Sequence, residues 1–182
     1  MADFLTIIIT IFIIIVAVIS VMLSNIDRKR MHVYVIAKAM KEHLDVFVRF
    51  IDKRVTGQYA EHASITQLRS LTDQFSGLKK GKDALKMIPL INSIVALYKT
   101  FDTSDSLPES EGAMDRLDDA MENISLLRAE YNLSVKNLNK QLSSRVFTGL
   151  VKLFRMKKLE ELCEFPSFSD YIERRLHGNE RI

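Results

Sequence analysis

Residues 4–26 contain no charged side chain, and from Ile7 to Ile19 the only polar interruption is Thr10. A helix that crosses a bilayer core of about 30 Å takes roughly 20 apolar residues. This run meets that length and composition. Ile and Val are modest helix formers in water, but lipid requires every backbone amide to bond within its own segment. We therefore read residues 4–26 as one transmembrane helix. A cleaved signal peptide fits less well, because Asp3 is the only early charge and Ala17-Val18-Ile19-Ser20 is a poor cleavage site. A buried core helix of this length is unusual. Lipidation has no footing: position 2 is Ala2 rather than glycine, and Cys163 stands outside any C-terminal lipidation box.

The remainder of the 182-residue chain is long enough for one ordinary domain. A single cysteine excludes an internal disulfide framework and suits a reducing compartment. Six Gly and three Pro are few breakers for such a length, which favours helices over an all-β fold. The expectation is an all-α protein: an N-terminal transmembrane helix continuing into an antiparallel bundle of about four long helices. The chain divides into an anchor (1–26), a cytoplasmic bundle (27–165) and a C-terminal tail (166–182).

Charge sets the expected direction. Residues 1–100 carry 14 Lys/Arg against 8 Asp/Glu, a net of +6, whereas residues 101–182 carry 12 against 15, a net of −3. The sharpest basic cluster, Arg28-Lys29-Arg30, follows the apolar run after Asp27 alone. Lys and Arg beside a span mark its cytoplasmic side, so the N-terminus is expected outside and the body in the cytoplasm.

Beyond the anchor, Val33, Ile36, Met40, Leu44, Phe47, Ile51 and Val55 recur at helical spacing. Neither Gly nor Pro separates them from the apolar run, so one rod over about residues 3–56 is expected, stopping at Thr56-Gly57. His32 and His43 on it are read as surface or packing residues, not ligands. A second helix is expected over 58–81 on the stripe Ile65, Leu68, Leu71, Phe75 and Leu78. Residues 77–83 resemble a phosphate loop but are one residue short, and Asp83 stands where Ser or Thr would hold magnesium. A third helix starts near Lys86 with Pro89 in its first turn. It carries Leu85, Ile88, Ile91, Ile94, Val95 and Tyr98, with Lys86, Asn92 and Lys99 too polar for a second span.

Ser106 and Glu109 form a capping-box signature. Residues 102–122 hold eight acids and one Arg, read as a solvated helix N-terminal face with a metal site as the sharper alternative. The best-patterned helix follows, from 107 to about 144: Met114, Leu117, Met121, Ile124, Tyr131, Val135, Leu138 and Leu142. Only Arg128 interrupts its seam, with Leu127 beside it. Such a stripe packs against other helices, in a bundle or a coiled coil, and leaves self-association open. After the break at Ser143-Ser144, residues 145–158 hold five basic residues, no acid and two Phe. Two readings stay open: an interfacial segment with Lys152, Arg155, Lys157 and Lys158 on anionic headgroups, or a short helix closing the bundle with its cations snorkelling to water.

The second half resembles the LemA family of bacterial single-pass membrane proteins. The likeness lies in residues 123–132, Asn-Ile-Ser-Leu-Leu-Arg-Ala-Glu-Tyr-Asn, then Val135-Lys136-Asn137-Leu138-Asn139. It continues through Val146-Phe147-Thr148-Gly149-Leu150 to Lys157-Lys158-Leu159-Glu160-Glu161. The chain departs from the family in having no Trp and in lacking the Arg-Arg-x-Asp-Leu-Ile-Pro continuation after Arg49, so its first half is divergent. The resemblance implies an inner-membrane protein with an N-out, cytoplasmic helical bundle and no established catalytic activity. It singles out Arg128, Tyr131, Asn132 and Asn139, either as polar packing between helices or as a partner site.

The catalytic checklist finds no ExxH, no HExxH and no nucleophile elbow. Cys163 lies beside Glu160, Glu161 and Glu164, which raise a thiol pKa rather than activate it. The expected protein is not an enzyme: no catalytic residue, no cofactor, no metal and no small-molecule substrate. Its expected partners are the bilayer, through residues 4–26, and an unidentified protein. Nucleic acid is not expected, since the basic residues are dispersed without interleaved aromatics. The functions expected are a membrane-anchored scaffold or adaptor or, alternatively, a lipid-sensing or membrane-remodelling protein acting through residues 145–158.

Overall fold

The structure is a computed structural model that describes residues 2–58, 63–78, 83–100 and 111–165. The described elements are all helical: α1 (Ala2–Gln58), α2 (Ala63–Ser76), α3 (Met87–Tyr98), α4 (Glu111–Leu142) and α5 (Arg145–Leu153). Only α1 and α4 are long, with 57 and 32 residues; α2, α3 and α5 have 14, 12 and 9. Among the described residues two helices are therefore long and three are short. The Ser106–Glu109 capping signature, residues 79–82 of the loop-like stretch, the acids before Glu111 and the tail 166–182 lie outside the described residues.

The first helix carries two different surfaces on one rod. The large apolar side chains from Phe4 to Val18, with Val21, are exposed, whereas Ile26 is fully buried. Ile19, Met22 and Leu23 are half-buried between them. The last turns of the apolar run therefore belong to the body, and the bare section is about residues 3–21, roughly 28 Å at about 1.5 Å per residue. It is the one described helix long and apolar enough to cross a membrane, and none of its most apolar window is buried. Beyond it the expected stripe closes completely: Val33, Ile36, Met40, Leu44, Phe47, Ile51 and Val55 are all buried. Each such side chain contributes about 1.5–3 kcal/mol when fully buried.

The distal part of that stripe is covered by α2, and α3 packs on α2. Ile65, Leu68 and Phe75 of α2 and Met87, Ile88, Ile91, Ile94, Val95 and Tyr98 of α3 are buried. Pro89 sits in the first turn of α3, whose N-cap is Lys86, where its missing N–H forfeits no helical bond. Lys41 is buried in this contact. Its ammonium pairs with Asp45 and lies 4.1 Å from the centre of the Phe75 ring, so carboxylate and ring face replace the water it loses.

The seam of α4 packs along α1, with Leu117, Ile124, Tyr131, Val135, Leu138 and Leu142 buried. Arg28, Lys29 and His32 share a cleft with Lys140, Gln141 and Ser144, so the C-terminal end of α4 lies at the foot of the bare section of α1. His32 also meets Glu130, at 3.6 Å. From Ser144 the chain turns into α5, which packs on α4 through the buried Leu150.

The end of α5 redirects the chain. Arg155 adopts φ 49°, the left-handed conformation. The N–H of Met156 donates to the carbonyl of Val151 at 3.0 Å, and that of Arg155 to Lys152 at 3.3 Å. This is the Schellman pattern, in which glycine is the usual left-handed residue. Met156 and Val151, the pair expected to touch across such a turn, both pack on the core. Residues 156–165 then leave as an extended chain.

Candidate functional site

The four family-like residues converge on that extended chain. Asn139 grips Leu159 at both polar atoms: its Nδ2 donates to the carbonyl at 2.8 Å and its Oδ1 accepts from the N–H at 3.0 Å. Asn132 does the same to Leu162, at 2.8 Å for each bond. Between them the Tyr131 hydroxyl donates to the carbonyl of Glu160 at 3.1 Å. Beyond them the Arg128 guanidinium donates to the carbonyl of Cys163 at 3.3 Å, its other arm 3.9 Å from the Glu164 carboxylate. Arg128 interrupts the α4 seam because its partner is a backbone and not a helix.

Asn92 of α3 and Lys99, the residue that caps its C-terminus, complete the grip. Asn92 donates to the carbonyl of Glu161 and accepts from the N–H of Cys163, both at 2.9 Å. Lys99 donates to the carbonyl of Glu164 at 3.1 Å. Six consecutive carbonyls, from Leu159 to Glu164, thus each accept from a side chain. Past Met156 the segment makes no backbone–backbone hydrogen bond among the described residues. An extended chain with no ladder must find partners elsewhere for its buried amides, and here they come from α3 and α4.

The register follows from helical rise. Asn132 and Asn139 lie seven residues apart, as do Asn92 and Lys99. Seven residues of helix advance about 10.5 Å, and three residues of extended chain advance about 9–10 Å. Asn139 on Leu159 and Asn132 on Leu162 match those two lengths. The segment therefore runs against the direction of α4 and along that of α3. Its apolar side chains keep the same step: Met156, Leu159, Leu162 and Phe165 all pack on the core. Phe165 stands edge-on to Phe47 of α1, ring centres 4.8 Å apart. A period of three belongs to polyproline-II-type chain rather than to a strand.

The electrostatics of the grip are those of a lock. Burial, aided by Glu160, pushes the Tyr131 phenol well above its ordinary value of 10.0, so it stays a donor. Burial also pushes the Cys163 thiol up, and Glu164 adds to the rise while Lys99 and Arg128 oppose it. Desolvation is thus the leading cause, and of the three neighbouring glutamates only Glu164 contributes. Asn92 and Lys99 went unread as functional because nothing local distinguishes them. The signal was their seven-residue spacing, equal to that of Asn132 and Asn139.

Other expected sites fall elsewhere. Lys152, Arg155, Lys157 and Lys158 are exposed, as are Val146 (73%), Leu153 (74%) and Phe154 (49%). Phe147 and Val151 pack on the core beside buried Leu150, so the 145–158 segment both closes the body and presents an apolar and basic outer face. Among Arg28, Lys29 and Arg30, the first two line the cleft shared with α4. In the described part of the acidic stretch, burial followed by Asp115 and Asp119 raises the Asp118 pKa. No group of three His, Cys, Asp or Glu is placed to hold a metal ion among the described residues. Comparison with known proteins yields no matching family model, no matching curated protein and no matching solved structure.

Proposed function

We propose that this chain is a non-catalytic, membrane-anchored scaffold, LemA-like in plan. Residues 3–21 span the cell's inner membrane with the N-terminus outside, and an antiparallel helical body in the cytoplasm holds a protein partner. The observation that carries the reading is the unbroken passage of α1 from a bare apolar section to a stripe, Val33 to Val55, that is buried. About 28 Å of bare Ile, Val and Phe has no favourable place in water, and Arg28-Lys29-Arg30 follows it, as the positive-inside tendency asks of a cytoplasmic flank. The grip on residues 159–164 is made of hydrogen bonds to main chain and supplies holding rather than turnover.

Topology is tested in cells by single-cysteine labelling in a Cys163→Ser background. Ala2→Cys is expected to react with a membrane-impermeant maleimide and Ser143→Cys only after lysis. The opposite pattern overturns the orientation, and recovery of both in the soluble fraction overturns the anchor. Photo-crosslinking from exposed positions of α4 is expected to capture a recurring protein partner; capture of lipid and chaperones alone counts against the scaffold.

A second reading has its own support. The exposed Val146, Lys152 and Leu153 of α5, with Phe154, Arg155, Lys157 and Lys158 just beyond its end, lie on a segment that begins at the foot of the anchor. Such a face suits the headgroup layer. In anionic liposomes, amide exchange over residues 145–158 is expected to slow relative to neutral liposomes. Changing Lys152, Lys157 and Lys158 to Glu is expected to abolish that difference, and exchange indifferent to lipid charge would sink the idea.

A further inference from the structure

We propose that the cleft between α1 and α4 is a binding site for a phosphate-bearing anion, a class that includes anionic phospholipid headgroups. Arg28, Lys29 and His32 form one wall, and Lys140 with Asn137, Ser144 and their neighbours forms the other. The open volume is about 780 Å³, within the range of small-molecule sites. No acidic side chain lines it. Glu130 pairs with His32 from outside the lining, and Arg28, Lys29 and Lys140 have no ion pair among the described residues. Two helices therefore bring three permanent cations to one concave surface without neutralising them, which focuses a positive potential there.

Neutral donors stand among the charges. Ser144 occupies the N-cap position of α5, yet its hydroxyl makes no capping bond. Asn137 and Gln141, also on the wall, add carboxamides, which donate to a phosphate oxygen or accept from a hydroxyl. Cations combined with hydroxyl and amide groups suit a phosphate ester and its glycerol better than a bare hydrophobe. The phospholipid as source rests on the anchor reading: Arg28 lies seven residues past the bare section, about 10 Å of helix, so the cleft opens at headgroup depth. The cleft differs from the exposed face of α5, because Lys152, Arg155, Lys157 and Lys158 take no part in it.

The test uses the full chain in a neutral detergent. Native mass spectrometry compares retention of phosphatidylglycerol and phosphatidylcholine, and calorimetry measures inorganic phosphate. Lys140→Glu and the milder Asn137→Ala probe the wall on α4 and leave Arg28-Lys29-Arg30 and its topological role intact. Lys152→Glu with Lys157→Glu is the control, and circular dichroism confirms folding. Preferential retention of phosphatidylglycerol, reduced at least about tenfold by Lys140→Glu and unchanged in the α5 control, supports the site with lipid as its source. Binding of inorganic phosphate, lost in Lys140→Glu, supports the site with a free anion as its source, even if the anchor fails its own fractionation test. Retention of both lipids alike, or binding of either probe that neither α4 variant alters, overturns the proposal. If Lys140→Glu does not fold, Asn137→Ala and Lys140→Gln decide between these outcomes.

Discussion

Two stretches of this molecule solve opposite halves of one problem. The bare section of α1 satisfies every backbone amide within its own helix and leaves its side chains without partners. The segment 157–165 does the reverse. Its Leu159, Leu162 and Phe165 are received by the core, while its backbone depends on six side chains from two other helices. The first stretch needs only a solvent of the right kind and is indifferent to the rest of the chain. The second exists only once α3 and α4 stand at the correct spacing. An anchor can thus be written locally, whereas a clamp has to be written in two places at once.

The sharpest way to break this contrast is at Asn132. Asn132→Leu keeps the size and leaves the Leu162 N–H and carbonyl buried without partners, at about 1–3 kcal/mol for each. Because the segment can detach instead of bearing the whole cost, we expect a loss of about 3 kcal/mol. Cys163, half-buried in the grip, is the reporter: its maleimide labelling under native conditions is expected to accelerate roughly a hundredfold. Membrane association is expected to stay unchanged. Labelling as slow as in the native protein would show that apolar packing alone holds the segment.

The converse change is Ile13→Lys, in the middle of the bare section. A lysine at a span's centre costs about 2.5–3.5 kcal/mol of insertion. Retention in membranes is expected to fall while Cys163 labelling stays at its native rate. If labelling rises as well, the two stretches are coupled along α1 and the contrast fails.

These opposite designs also explain what was legible beforehand. The apolar run and the seams of α1 and α4 are patterns of one segment, and Val33 to Val55 and Leu117 to Leu142 were readable one helix at a time. Arg128, Tyr131, Asn132 and Asn139 were visible as a set, but not their partner. Met156, Leu159, Leu162 and Phe165 follow neither the 3.6 period of a helix nor the 2 of a strand, so no element is legible there. Asn92 and Lys99 seemed only too polar for a membrane. Their meaning lies in a backbone about seventy residues away, and no local pattern contains it.

A smaller effect separates the phenol from the amides. Tyr131→Phe removes one buried hydrogen bond to the Glu160 carbonyl, so a loss of about 1–1.5 kcal/mol is expected at neutral pH. The pH dependence has a definite sign. Both the Tyr131 phenol and the Cys163 thiol have folded pKa values above their ordinary values of 10.0 and 9.0. Their protonated forms therefore contribute stability below about pH 9, and that contribution falls as pH rises through and beyond those values. Urea unfolding of the native protein is expected to weaken progressively above pH 9, and less steeply in Tyr131→Phe with Cys163→Ser. Equal slopes would remove both groups from the alkaline transition.

The smallest effect tests the joint between α5 and the clamp. Arg155 holds a left-handed conformation that disfavours any residue with a β-carbon, by about 1–2 kcal/mol. Glycine adopts it freely but has more backbone entropy to lose on folding, about 0.5–1 kcal/mol. Arg155→Gly should therefore stabilise the turn by about 0.5 kcal/mol, and Cys163 labelling should slow about twofold. Arg155→Ala removes the guanidinium and retains the strain, so it should leave the rate unchanged. If both variants instead loosen the segment equally, the guanidinium itself holds the chain end. Arg155 would then belong with Arg128 and Lys99 among the cations that fix this segment, and the turn would be part of the clamp rather than the hinge that leads into it.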